Sequence, residues 1–192
     1  MSTLEDGLGR VVGSPPPRYG GVVAILSEHV EGYLARLRPE RPALLAEMEE
    51  LAARDGIPIV HWETGRLLAT LVRALDPGLV LEVGTAIGYS TLHMASALGG
   101  GRIVTLERDP TRAEQARGFL ARGGVGDLVE ILEGDALERL ENLEGPFDLV
   151  FLDATKTEST GYLERIEARV SERALLVFGG GVGVPVVAFL GR

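Results

Sequence analysis

The sequence predicts an α/β fold with a doubly wound, mostly parallel sheet, and three observations lead to this prediction. Short apolar runs typical of buried strands alternate with longer amphipathic runs typical of helices. The first strong run, Leu79–Val83, breaks at Gly84 and gives way to a helical pattern from about Tyr89. Each later apolar run also ends in polar residues or glycine. Because ligands bind open α/β sheets at the carboxyl ends of the strands, these run ends predict a binding site.

The composition is typical of a globular protein. The chain of 192 residues can bury a substantial core, and its 45% hydrophobic and 24% charged residues are ordinary for that class. It has no cysteine, which excludes disulfides and thiolate ligands, and no apolar run near the ~20 residues of a membrane helix. The N-terminus lacks a signal peptide's apolar core, so we expect a cytoplasmic protein with no membrane partner. The net charge of −9 disfavours non-specific nucleic-acid binding.

The N-terminal part is predicted to contain an arm and two helices. We expect a flexible arm at 1–20, then a single domain at 21–192 with N-terminal helices at 21–56 and the sheet at 57–192. The arm contains three consecutive prolines and no apolar periodicity. A broad apolar stripe predicts an amphipathic helix over 21–37. A second helix is predicted from Pro42 to Arg54, since proline is favoured in the first turn of a helix.

Strands and helices alternate through the rest of the chain. The predicted strands are Leu79–Val83, Arg102–Leu106, Leu128–Leu132, Phe147–Leu152 and Ala174–Phe178. The predicted helices are 63–75, 89–98, 110–122, 135–141 and 158–170. This order is typical of a parallel sheet that is covered by helices on both faces.

The ends of the predicted strands carry candidate binding residues. Glu82 lies at the end of the first strand, where a carboxylate suits a cationic or hydroxyl-bearing ligand. The turn that follows, from Gly84 to Gly88, lacks the middle glycine of the dinucleotide fingerprint, so it does not indicate a pyrophosphate site. Glu107 closes the second strand, where related folds bind ribose hydroxyls. Asp135 and Asp153 follow the third and fourth strands.

Four stretches of the sequence carry a resemblance to a known family: Glu82–Ser90, Glu107, Gly134-Asp135-Ala136 and Phe147–Lys156. They resemble the catechol and caffeoyl-CoA type of S-adenosylmethionine-dependent O-methyltransferases. Together with Gly84–Ser90, the stretches Ile57–Val60 and Thr64–Leu68 are similar in particular to a bacterial branch that includes tRNA 5-hydroxyuridine methyltransferases. The similarity runs from about Arg41 to Phe178. It implies a Rossmann-like class I methyltransferase fold, S-adenosylmethionine as cofactor and a homodimer. In that family the two N-terminal helices cover the active site or form a dimer contact; capping the core is the alternative.

The resemblance also implies roles for individual residues. It places Glu82, Gly84 and Ser90 at the methionine part of the cofactor, Glu107 at the ribose, Asp135 and Ala136 at the adenine side, and the backbone of Val60 at the closing loop. Asp153 matches a residue that touches the cofactor and binds a metal, and Lys156 matches the catalytic lysine, so both are candidate catalytic residues. Ser90 and Asp135 could instead be helix N-caps. The three histidines are interpreted as structural or surface residues. Lys156 is the only lysine in the chain.

The C-terminus departs from the family pattern. There the fifth strand ends in an Asp-Asn pair that completes a magnesium site, whereas this chain has Gly179-Gly180. Asp153 is then the only candidate metal ligand, and a single carboxylate is a poor magnesium site, so we expect magnesium dependence to be absent or weak. Either the metal site has been lost, or the sequence was altered or truncated after Phe178. Val184–Leu190 leaves room for one strand.

Three functions are compatible with these patterns. The first is transfer of a methyl group from S-adenosylmethionine to a hydroxyl oxygen of a phenolic or catechol-like small molecule. The second is methylation of a hydroxylated uridine in tRNA, which the net charge disfavours. The third is an S-adenosylmethionine-binding pseudoenzyme that has lost its metal site.

Overall fold

The computed structural model of the chain describes residues 18–19, 22–23, 28–37, 40–153, 158–179 and 186–190. Backbone contacts divide the chain into two units, residues 1–41 and 42–192. The first unit contains the strands β1 (Arg18–Tyr19) and β2 (Val22–Val23) and the helix α1 (Glu28–Leu37). The second unit contains the sheet and the remaining helices.

The first unit corrects the predicted helix over 21–37. Helix α1 begins only at Glu28, and Val22 and Val23 pair antiparallel with Tyr19 and Arg18. β-branched valines favour strands. Most of the predicted flexible arm, residues 1–17 and 20, lies outside the described residues.

The second unit is organised around a six-stranded sheet. Its strands are β3 (Leu79–Val83), β4 (Arg102–Glu107), β5 (Val129–Glu133), β6 (Phe147–Leu152), β7 (Val170–Phe178) and β8 (Val186–Leu190). They lie in the order β5-β4-β3-β6-β7-β8, and the first five named strands pair in parallel. Strand β8 pairs antiparallel with β7, so the single strand expected after Phe178 is confirmed. Strand β7 starts four residues before its predicted beginning at Ala174, because Val170 already pairs with Phe147.

Helices cover both faces of this sheet. They are α2 (Ala43–Asp55), α3 (Trp62–Leu75), α4 (Tyr89–Ala95), α5 (Pro110–Arg122), α6 (Ala136–Glu141) and α7 (Ser159–Ile166). The first four pack over one apolar cluster, and the last two pack over a second cluster on the opposite face. The predicted doubly wound α/β fold is therefore confirmed. None of the helices that the structure describes is long and apolar enough to cross a membrane.

Two helices are shorter than predicted. Helix α4 ends at Ala95 rather than at residue 98, and α7 ends at Ile166, where a 3-10 turn over Glu167–Arg169 leads directly into β7. Glycines at 99–101 and the early start of β7 limit these helices. The prediction that a helix follows each of the strands β3 and β6 is unaffected.

Candidate active site

A cavity of about 560 Å³ opens at the carboxyl edge of the sheet. The chain winds from β3 to β5 in one direction and then crosses back to begin β6 on the other side of β3. A crevice forms where the winding direction changes, which is where open α/β sheets bind ligands. Residues at or just beyond the ends of five strands line it: Gly84, Glu107, Asp135, Asp153 and Gly179. The loop 58–61 before α3 lines it as well, and the volume suits a small-molecule site.

The turn between β3 and α4 brings backbone to the wall of the cavity. Gly84 and Gly88 have φ values of +102° and +85°, which glycine adopts without steric cost. A Cβ at Gly88 would also lie 3.2 Å from the Cβ of Ala116. Ala86 takes φ +47° and donates its N–H to Glu107 Oε2 at 2.7 Å. The turn is thus tied to the end of β4.

Glu107 is held in a fixed orientation at the cavity. Its Oε2 accepts from the Ala86 N–H, and its Oε1 accepts from the Asp109 N–H at 2.9 Å. The side chain is only 8% exposed but lines the cavity. Each carboxylate oxygen has a further lone-pair direction, so Glu107 can still accept from two neighbouring hydroxyls. This geometry suits the predicted ribose contact.

Glu82 lies behind the cavity wall. Its side chain is fully buried and accepts from the hydroxyls of Ser90 (2.5 Å), Thr91 (2.5 Å) and Thr105 (2.7 Å). Burial raises the pKa of Glu82 to about 7, although the three hydrogen bonds oppose this shift. Among the described residues, Ser90 rather than Glu82 lines the cavity. A direct contact of Glu82 with the cofactor stays a prediction.

Asp153 and Gly179 face each other at the position where the resemblance implies a metal. A Cβ at residue 179 would clash with the Asp153 carboxylate as it is oriented here, so this arrangement does not accommodate a second carboxylate beside it. Burial raises the pKa of Asp153 to about 6. In the part of the chain that the structure describes, no three His, Asp or Glu side chains group to hold a metal. These residues do not fit a magnesium ion, which prefers several oxygen ligands in octahedral geometry.

The structure also places the other predicted site residues. Gly84, Ser90, Asp135, Ala136 and Val60 all line the cavity. Asp135 additionally caps α6, because its Oδ1 accepts from the N–H groups of Leu137 (2.9 Å) and Glu138 (3.4 Å). Its cap and its cavity position are therefore compatible. Lys156, predicted to be catalytic, lies outside the described residues, as does Gly180.

Several cavity residues were not singled out by the sequence. His61 lines the cavity, and its adjacency to Val60 was the one available indication. Tyr162 on α7 and Glu158, the residue before this helix, also line it, and the Tyr162 hydroxyl donates to Glu158 at 2.5 Å. Burial and this hydrogen bond raise the pKa of Tyr162. Helix α7 follows the segment 154–157, and no periodicity shows which of its faces turns toward the site.

His93 is a structural residue, as the sequence indicated for the histidines. Its ring makes edge contacts with Trp62 and Tyr89, with centroids 5.3 and 5.0 Å apart. Its Nε2 is buried without a hydrogen-bond partner among the described residues. Burial, assisted by Arg66, lowers the pKa of His93 to about 4. His93 thus remains neutral in the core between α3 and α4.

Comparison with known proteins gives the family. A family model described as O-methyltransferase matches residues 37–182. The catechol O-methyltransferase of Mycobacterium tuberculosis is 41% identical over 152 residues, which cover 73% of this chain and 68% of that protein. The catechol O-methyltransferase of Niastella koreensis is 38% identical over 145 residues, covering 71% and 65%. The match therefore spans about two thirds of the length of these relatives.

A solved structure agrees with these sequence matches. The O-methyltransferase of Bacillus cereus in complex with SAH superposes with a TM-score of 0.72 at 30% identity, covering 78% of this chain and 71% of that one. The strand order, the cavity at the strand ends and the sequence matches lead to one conclusion. The chain belongs to the family of S-adenosylmethionine-dependent O-methyltransferases.

Proposed function

We propose that this protein transfers the methyl group of S-adenosylmethionine to a hydroxyl oxygen of a phenolic, catechol-like small molecule. The cavity at the strand ends is the observation that carries the proposal, because Ser90, Glu107 and Asp135 all line it. The relatives named catechol O-methyltransferase support the acceptor class. They favour a small molecule over a hydroxylated uridine in tRNA, and the net charge of −9 agrees with this.

The described residues bind and orient the cofactor in this proposal. Glu107 accepts from the ribose hydroxyls, Asp135 and Ala136 contact the adenine side, and Gly84 and Ser90 hold the methionine part. The backbone of Val60 closes the site from the loop before α3. The bound cofactor supplies an activated methyl group, so the protein contributes mainly alignment and the exclusion of water.

The acceptor hydroxyl must also lose its proton, and the pKa of a phenol in water is near 10. We propose that Lys156 stabilises the developing oxyanion, since an ammonium nearby lowers the pKa of the phenol. Asp153 and Glu158 flank the segment that contains Lys156, and both line the cavity. Because the described residues do not fit magnesium, we propose that the reaction does not require it.

Two measurements test the proposed function. Calorimetric titration with S-adenosylhomocysteine should show one site per chain. Transfer of labelled methyl from S-adenosylmethionine to catechol and related phenols should then continue in the presence of a chelator. Cofactor binding without transfer to any phenol would favour the pseudoenzyme, and absence of cofactor binding would refute the proposal. Activity that disappears with chelator and returns with magnesium would contradict the proposed metal independence.

We also propose a cytoplasmic homodimer. The resemblance associates the N-terminal helices with a dimer contact, and Tyr33 and Leu37 on α1 expose 53% and 62% of their surface in the single chain. Exposed large apolar side chains on one helix suit a protein contact. Light scattering coupled to size exclusion should give twice the monomer mass. A monomer at micromolar concentration would contradict the dimer.

A further inference from the structure

The hydroxyl groups around Glu82 form two hydrogen-bonded chains that end at the cavity. The hydrogen-bonded group consists of Glu82, Ser90, Thr91, Thr105 and Thr85. In the first of these hydrogen-bonded chains, the Ser90 hydroxyl donates to Glu82 Oε1. The other runs from Thr85 to Thr105 over 2.6 Å and on to Glu82 Oε2. Ser90 and Thr85 line the cavity, so the buried carboxyl is one or two hydroxyls away from a bound ligand.

The number of hydrogens decides what these hydroxyls can offer a ligand. A serine or threonine hydroxyl has one hydrogen to donate. When Glu82 is ionised, Ser90 and Thr105 donate to it, and Thr85 must donate to Thr105. Ser90 and Thr85 then present only lone pairs to the cavity. When Glu82 Oε1 carries a proton, it can donate to Ser90 over the same 2.5 Å contact, which frees the Ser90 hydrogen for the ligand.

The charges at the cavity favour the second state when the cofactor is bound. The methionine part carries an ammonium and a carboxylate, and Asp153 on the cavity wall is the described carboxylate suited to the ammonium. The cofactor's carboxylate is then left for Ser90. An ionised Glu82 only one hydroxyl away would repel that carboxylate in a site of low dielectric.

We propose, as an extension of the proposed function, that Glu82 is a positioning residue that acts through Ser90. In the bound state a neutral Glu82 donates to the Ser90 hydroxyl, which donates to the carboxylate of the cofactor. Cofactor binding is therefore accompanied by uptake of one proton from solvent onto Glu82. Thr91 and Thr105 keep donating to Oε2 in both states.

The surroundings of Glu82 support a proton on this group. The side chain has no exposed surface, and no basic side chain of the described residues forms an ion pair with it. Helix α4 contributes Ser90 and Thr91, strand β4 contributes Thr105, and the carboxylate of Asp153 beyond β6 acts on it as a like charge. Burial and Asp153 both raise the pKa of Glu82, which reaches about 7.

The test compares two ligands on the wild-type protein. Calorimetry with S-adenosylhomocysteine between pH 6 and 8.5, in buffers of different ionisation enthalpy, measures the protons taken up. We expect uptake that approaches one proton per site above pH 7, with affinity falling about tenfold per pH unit there. 5′-Deoxy-5′-methylthioadenosine lacks the amino acid part. Its binding should therefore show neither proton uptake nor a fall in affinity with rising pH.

Two variants locate the proton. Glu82→Gln places a permanent amide donor beside Ser90, so its affinity for S-adenosylhomocysteine should no longer fall as pH rises above 7. Ser90→Ala removes the hydroxyl between Glu82 and the cofactor's carboxylate, so it should also abolish the fall in affinity with rising pH. This second variant keeps the test valid if Glu82→Gln folds poorly. Equal proton uptake with both ligands, or proton release with S-adenosylhomocysteine above pH 7, where Asp153 is already ionised, would overturn the inference while the proposed function stands. Failure of both ligands to bind would instead refute the proposed function.

Discussion

Glu107 shows how one side chain can serve the backbone and a ligand together. Its carboxylate accepts hydrogen bonds from the N–H groups of Ala86 and Asp109, and the side chain also lines the cavity. We expect Glu107→Ala to weaken binding of S-adenosylhomocysteine by roughly 1–3 kcal/mol, since hydrogen bonds to a charged group are lost. Calorimetric titration measures this effect.

The matched control for Glu107 is Glu133, its neighbour across the β4–β5 pair. Glu133 pairs with Arg117 on the surface at 2.8 Å and does not line the cavity. Glu133→Ala should therefore leave the affinity within a few tenths of a kcal/mol. Equal losses in the two variants would show that Glu107 has no specific contact with the ribose.

Lys156 can be tested by substitution although it lies outside the described residues. We expect Lys156→Met to lower turnover by ~10²-fold or more, the usual range for an acid–base group, with little change in cofactor affinity. Lys156→Arg should not restore turnover, because a guanidinium has a different shape and stays protonated. Steady-state methyl transfer and calorimetry measure the two quantities. If both variants turn over like the wild type, Lys156 is not catalytic.

The sequence predicted which residues reach the cavity better than how they contact one another. Gly84, Glu107 and Asp135 lie at or just beyond strand ends, and Ser90 lies at the start of the helix after β3; parallel strands deliver their ends to one edge of a sheet. One hydrogen bond to the buried Glu82 comes instead from Thr105 in the adjacent strand, and sequence spacing does not show that register. Tyr162 was missed for a similar reason, because its helix reaches the cavity only through tertiary packing.

Helices α3 and α4 meet at a close contact that depends on glycine. A Cβ at Gly65 would clash with His93 Cδ2 and lie 2.7 Å from His93 Nε2. Gly65→Ala should therefore force the ring aside and destabilise the protein by about 1–3 kcal/mol, the usual cost of overpacking a core. Urea denaturation measures the free energy of unfolding.

Gly118 on α5 provides the control for Gly65. A Cβ there would meet no atom within 4 Å, so Gly118→Ala should stabilise the helix by about 0.5–1 kcal/mol. The two Gly→Ala changes are predicted to have opposite signs. If Gly65→Ala is also stabilising, the packing of α3 against His93 is looser than the structure indicates.

Elements with strong periodicity were predictable, and their ends were less so. The predicted bounds of α5, β3 and β6 agree with the structure because Pro110, Gly84 and Asp153 mark where these elements start or stop. The first helix was placed too early, since Val22 and Val23 continue an apolar pattern that fits a strand equally well. Local pattern did not decide between these alternatives.

At the scale of the whole molecule, two buried groups make opposite contributions to stability as pH changes. Burial raises the pKa of Glu82 from its ordinary 4.5 to about 7, so the folded state keeps a proton that the unfolded state releases. Its contribution to stability therefore declines as pH rises from 4.5 to 7. His93 has the reverse shift, from 6.5 to about 4. The free energy of unfolding measured in acid therefore contains the contributions of both groups.

The contribution of His93 can be isolated with a residue that does not titrate. Between pH 4 and 6.5 the unfolded state binds a proton at His93 that the folded state does not, so this contribution to stability falls as pH falls through that window. His93→Asn removes the effect. We expect the stability of the wild type relative to His93→Asn to rise with pH from 4.5 to 6.5, by at most about 1.4 kcal/mol per pH unit, and to level off above pH 7. Urea denaturation at each pH measures this difference. A difference that is constant between pH 4.5 and 6.5 would show that His93 is not buried in its neutral form.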